Sequence, residues 1–236
     1  LFFYTHTTAY AMLRSLVGSE MCIRDRHGEV VLGLFGNVKQ TDLTAVNNIL
    51  HVLNIVAPQL QISYSDNADD VNLPIHFASC TKRFSELVND CKGKYAGLFY
   101  HSHNRFDEAK FGWIWVDSQY GRSTREHILI HELGHALGLG HNLCRYSVMS
   151  YADYADSVPY FTEIDLMQLR ILYDQKLRDN MYSYQVIEEL ELNKEVYSEY
   201  DSNKKPMCSP QQSGWKGLVD FQKGLKTVEE ILNEGN

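Results

Sequence analysis

The sequence predicts an α+β or mixed α/β domain, and three observations carry that reading. Five short apolar or alternating runs are each bounded by turn residues. A long amphipathic helical run follows the first of them, and a later helical run carries histidines at helical spacing.

Taken in order, GEVVLGLFGN (28–37) reads as a buried strand of apolar and β-branched residues closed by a Gly-Asn turn. LTAVNNILHVLNIVAPQL (43–60) reads as a helix behind a Thr41-Asp42 start, with Leu43, Val46, Ile49, Leu50, Leu53, Val56 and Leu60 on one face. QISYS and LPIHFAS are the next two strands, and FSELVNDC is a short helix between Cys80 and Cys91. YAGLFYHS and FGWIWVD complete the five. Ser123-Thr124-Arg125-Glu126 has capping-box spacing, which predicts a helix from there to about Leu137. FTEIDLMQLRILYDQKL (161–177) is a further amphipathic helix, with Thr162 and Asp165 as its cap. GWKGLVDFQKGLKTVEEILNEG suggests a last helix weakened by Gly217 and Gly224, its apolar stripe packing on the main domain.

A chain of 236 residues accommodates one substantial domain with a small extension. We expect the domain over 27–180 and an acidic, partly helical extension over 181–236. The net charge of −8 argues against a nucleic-acid partner or an anionic membrane surface. No apolar run reaches the roughly 18 residues that a membrane-spanning helix needs. A monomer is expected.

The opening residues stand apart. Met21-Cys22-Ile23-Arg24-Asp25-Arg26 resembles the translation of a common transposon-derived sequencing adapter, so residues 1–26 read as largely artefactual. The alternative is a genuine, partly apolar leader. Setting Cys22 aside leaves Cys80, Cys91, Cys144 and Cys208, an even set. Cys80 with Cys91 and Cys144 with Cys208 would make two disulfides and a secreted or periplasmic protein, against four reduced thiols in a cytosolic one.

The chemistry is concentrated in HELGHALGLGH (131–141). His131 and His135 are four apart, so both imidazoles leave one helix face and suit a single zinc ion. Glu132 is rotated aside from that face, where it can take a proton from a metal-activated water without being a ligand. Ile130, Leu133 and Leu137 lie roughly opposite and would bury the helix. Gly138 can adopt positive φ and end the helix, letting the chain turn His141 back to the same metal. Three neutral histidines leave one tetrahedral position open, the arrangement of a catalytic rather than a structural zinc. At this chain's residue frequencies the five fixed positions arise by chance with a probability on the order of one in ten thousand, so coincidence is set aside.

His-Glu-x-x-His-x-x-Gly-x-x-His followed by Ser147-Val148-Met149-Ser150-Tyr151 resembles the metzincin clan of zinc metallopeptidases, with its matrixin, astacin and serralysin branches. The resemblance implies a twisted mixed five-stranded sheet, an active-site helix, a Met-turn at Met149 beneath the histidines, and a following helix. It implies that Asp165 is a buried group under that turn and that Tyr151, as in astacins and serralysins, stabilises the tetrahedral intermediate. LPIHFAS, YAGLFYHSH and FGWIWVD resemble the last three strands of the matrixin-type sheet, while LRILYDQKLRDNM also resembles an uncharacterised bacterial family of zincin-like proteins. The likeness is strong over 123–175, weaker over 28–122 and absent beyond 181.

The expected activity is zinc-dependent endopeptidase action on a peptide or protein held extended along an edge strand, YAGLFYHS, with one catalytic Zn²⁺, Glu132 as base and Tyr151 as oxyanion donor. A zinc-binding recognition module without turnover and a zinc hydrolase of a non-peptide amide are the rivals. His127 reads as a solvated histidine at the cleft rim before it reads as support for His131. His101 and His103 with Asp107, and the acidic loop of Asp66, Asp69 and Asp70, read as solvated polar loops before they read as sites for a further structural Zn²⁺ or Ca²⁺. Cys144, three after His141, reads as a disulfide or buried thiol before it reads as a competing ligand.

Overall fold

The structure, a computed structural model, describes residues 29–80, 91, 96–103, 109–141, 147–150 and 160–174. Strands β1 (Val30–Gly36), β2 (Ile62–Tyr64), β3 (Leu73–Ala78), β4 (Gly97–His103) and β5 (Ala109–Asp117) form one sheet in the order β2-β1-β3-β5-β4. The first four in that order run parallel, and β4 closes the edge antiparallel to β5. All five expected strands are present in a mixed sheet. Helices α1 (Gln40–Val56), α2 (Arg122–Ala136) and α3 (Glu163–Leu172) complete the α+β fold.

β3 shows how the sheet buries itself. Leu73, Ile75 and Phe77 are buried while Pro74, His76 and Ala78 between them are half-buried, the period-two pattern of a sheet with one fully covered face. The covered face carries Leu32, Ile75, Phe77, Ile114 and Val116, which pack with Val46, Leu50 and Leu53 of α1 and Ile128, Leu129 and Leu133 of α2. On the other face Cys80 and Cys91 are disulfide-bonded, and buried Trp115 clusters with Cys91 while its indole Nε1 donates to the Ala78 carbonyl at 2.9 Å. Further along, Phe35, His76, Trp113 and Tyr100 form a continuous row of ring contacts across β1, β3, β5 and β4.

α1 begins three residues earlier than the apolar stripe suggests and ends at Val56. Asp42 accepts from the Lys39 amide at 2.7 Å, and Pro58 diverts the last expected turn into a separate 3₁₀ turn, Pro58–Leu60. The capping box expected at Ser123 does not form. α2 starts at Arg122 behind Gly121 with no side-chain cap, and the Glu126 carboxylate accepts from Arg122 Nε at 2.8 Å instead.

What fixes the start of α2 is Arg125, which is 1% exposed. Its guanidinium donates through Nε and Nη2 to Asp42, through Nη1 to the Ser118 carbonyl and through Nη2 to the Asn37 carbonyl, and it lies 4.7 Å from the Phe77 ring centroid. One buried cation thereby ties α1, the β1–α1 turn and the β5–α2 turn together.

α3 is shorter than the 161–177 run: the helix ends at Leu172, and the Tyr173 hydroxyl donates to the Leu137 carbonyl at the end of α2. Among the described residues no helix is long and apolar enough to cross a membrane. Residues 1–26, most of the helix expected before Cys91, the loop with Asp107, Cys144, Cys208, Tyr151 and the extension expected over 181–236 lie outside the described residues.

Candidate metal centre

α2 sets His131 and His135 on one face, one turn apart. The chain leaves the helix at Leu137, and Gly138 takes φ +95°, the left-handed conformation the sequence reading required. That turn brings His141 back against the helix.

The two helical imidazoles are each fixed by a backbone carbonyl. His131 Nδ1 lies 2.7 Å from the Val148 carbonyl and His135 Nδ1 lies 2.8 Å from the Leu139 carbonyl. A carbonyl can only accept, so each Nδ1 carries the proton and each Nε2 presents a lone pair. The Nε2 atoms of His131, His135 and His141 stand 3.1, 3.2 and 3.2 Å from one another. Nitrogens about 2.0–2.1 Å from one tetrahedral ion stand about 3.3 Å apart, so this triangle fits a single zinc. Among the described residues these three form the one cluster of metal-ligating side chains.

The electrostatics keep the first of these donors, His131, neutral. Burial pushes the His131 imidazole down to about 4, with His141 and His127 adding to the fall and the Val148 carbonyl opposing it. His127 is half-buried, its ring centroid 6.1 Å from that of His131.

Glu132, next to His131 on α2, reaches the edge strand. Its Oε2 accepts from the Phe99 amide of β4 at 2.7 Å. Burial pushes its carboxyl up to about 7, against that amide, which favours the ionised form.

Below the histidines lies the turn 147–150, all four residues buried. Asp165, fully buried on α3, accepts from Ser147 Oγ, from the Val148 amide at 3.0 Å, and from the Thr162 amide and hydroxyl at 2.8 and 2.7 Å. Burial pushes its carboxyl up, and those four donors oppose the rise. The bonds to Thr162 are the helix cap expected from Thr162 and Asp165, and the same carboxylate holds the turn. Met149 packs against Gly134, where a side-chain carbon would lie 2.3 Å from its sulfur.

The matrixin family model, of the M10 peptidases, matches residues 37–173. This chain is a matrixin. The matched span reaches from the turn after β1 to the residue after α3 and contains the whole triad. Matrixins are zinc-binding metalloendopeptidases, and the three histidines supply this one with a metal site of the right donors and spacing. No curated protein matches the chain.

The remaining expected site residues divide. Asp66, Asp69 and Asp70 are exposed, with Asp66 accepting from the Tyr64 hydroxyl and Asp70 from Ser65 and Asn67. His101 and His103 belong to β4, and their side chains lie outside what is described. Three features escaped the sequence reading: Arg125 with Asp42, the close approach at Gly97, and the amide of Phe99. The last two meet Glu132 of the motif, and nothing in local spacing links residues 33 or 35 positions apart.

Proposed function

We propose that this matrixin cleaves peptide bonds in polypeptides bound in extended form along β4, with His131, His135 and His141 holding one zinc ion and Glu132 acting as general base. The observation that carries the reading is the convergence of three histidine Nε2 atoms, with the neighbouring Glu132 anchored to the edge strand. Zinc, when bound, supplies Lewis acidity that acidifies water and polarises the scissile carbonyl.

Each remaining step falls to a residue of the chain. The carbonyls of Val148 and Leu139 keep two imidazoles in the tautomer that donates through Nε2. Glu132 takes the proton of the attacking water and delivers it to the leaving amine nitrogen. Tyr151, two after Met149, is the proposed donor to the oxyanion. Met149 gives the triad an apolar floor, and Asp165 fixes the turn that carries it. β4 is the edge of the sheet, so a peptide can extend the sheet by one strand and gain main-chain hydrogen bonds. The Cys80–Cys91 disulfide supports an oxidising compartment, secreted or periplasmic.

The test is Glu132→Gln. Zinc content is expected to stay at the parent level while kcat falls by at least about a hundredfold, as for removal of a general base; near-parental turnover would remove Glu132 from the mechanism.

A further inference from the structure

The base is seated by the same strand that would bind substrate. In the β4–β5 pair, Asp117 donates to the Ala96 carbonyl, and the register runs Gly97 opposite Val116, Leu98 opposite Trp115 and Phe99 opposite Ile114. Antiparallel pairing alternates, so Ala96, Leu98 and Tyr100 turn their backbone groups to β5, and Gly97 and Phe99 turn theirs to the open edge. The outward Phe99 amide is the one that meets Glu132 Oε2 at 2.7 Å.

Gly97, two residues back on the same strand, controls how near the helix lies. A side-chain carbon there would stand 2.2 Å from Ile128 Cγ2, 3.0 Å from the Trp115 carbonyl oxygen of β5 and 3.1 Å from Glu132 Cγ. Ile128 and Glu132 are one helical turn apart, so this stretch of α2 rests on the bare backbone of Gly97. The glycine thus sets the distance of the helix from the strand, and the next outward amide sets the rotation of the carboxylate.

We propose that Gly97 and the Phe99 N–H are positioning groups for the catalytic step, holding the Glu132 carboxylate in one orientation beside the triad. The proposal rests on the peptidase reading above. An unheld glutamate would spread its carboxylate over several rotamers; with one oxygen fixed by an amide, the other keeps a constant direction for proton transfer. Loss of either device lowers turnover and leaves zinc and peptide binding in place.

Phe99→Pro deletes an amide on the side of β4 that faces away from β5, where proline breaks no β4–β5 ladder bond, and Phe99→Ala is its control, since both lose the ring and only one loses the N–H. Against Phe99→Ala, Phe99→Pro is expected to lower kcat about tenfold or more, with KM and zinc content unchanged. Gly97→Ala is expected to lower kcat similarly, and Gly97→Ala/Ile128→Ala, which clears the nearer clash, to recover most of it.

Independently of activity, hydrogen exchange at the Phe99 amide in the zinc-loaded full chain is expected to be about tenfold or more faster in Glu132→Ala than in the parent. Equal exchange in the two proteins, or equal kcat for Phe99→Pro and Phe99→Ala, overturns the proposal. A parent that cleaves no peptide defeats the peptidase reading, whereas the exchange result still decides whether Glu132 is seated on β4.

Discussion

His131 Nδ1 donates to the Val148 carbonyl, and the Val148 amide donates to Asp165, so one residue of the turn joins the first zinc donor to a buried carboxylate on α3. The tautomer of His131 therefore depends on a group that touches neither the metal nor the substrate. Such supporting partners commonly contribute one to two orders of magnitude in metal affinity.

Asp165→Asn tests that dependence. The amide keeps the shape but turns an NH₂ group toward donors in Ser147, Val148 and Thr162, leaving some of them unpaired in a dry site. Zinc affinity, measured by competition with a chromogenic chelator, is expected to fall about 10–100-fold, with a lower melting temperature. Parental affinity would mean the turn holds its shape without Asp165.

Arg125 and Asp42 carry a different load, since they set the start of α2 and not its metal-binding end. Arg125→Met leaves the Asp42 carboxylate buried without its partner and is expected to cost about 3–5 kcal/mol in denaturant unfolding. Adding Asp42→Leu removes the orphaned charge, so the double variant is expected to be more stable than Arg125→Met alone. A double variant whose loss equals the sum of the two single losses would show that the pair does not interact.

His76 supplies a pH dependence remote from the zinc. Burial between Phe35 and Trp113 pushes its imidazole below the ordinary value of 6.5. A folded value below the unfolded one means that the neutral ring stabilises the fold above about pH 6.5, and that this contribution is lost as pH falls through the lowered folded value. Between pH 7.5 and 5 the parent is expected to lose more melting temperature than His76→Phe. Equal losses would assign the acid sensitivity to other groups.

The parts of this molecule that were legible in its sequence are those whose meaning is local. The α1 stripe repeats at the helical period, Leu73, Ile75 and Phe77 alternate at the strand period, and His131, His135, Gly138 and His141 encode a helix, a break and a return within eleven residues. The strand order was not legible, because which strand lies beside which is decided by packing between distant segments. The capping box at Ser123 failed through one distant and one local competitor. Arg125 is claimed by Asp42, 83 residues away, and Glu126 by Arg122, so the helix starts where those bonds require. Gly97 reads as an ordinary strand glycine until α2 is laid against it.

The most direct measurement is cleavage of a diverse peptide library by the full chain, read by mass spectrometry in four arms: parent, parent with a zinc chelator, chelated parent with zinc restored, and Glu132→Ala. The expected result is cleavage by the parent, none with chelator, recovery with zinc, and none from Glu132→Ala. A folded, zinc-loaded parent that leaves the library intact would contradict the account and favour a zinc site kept for binding.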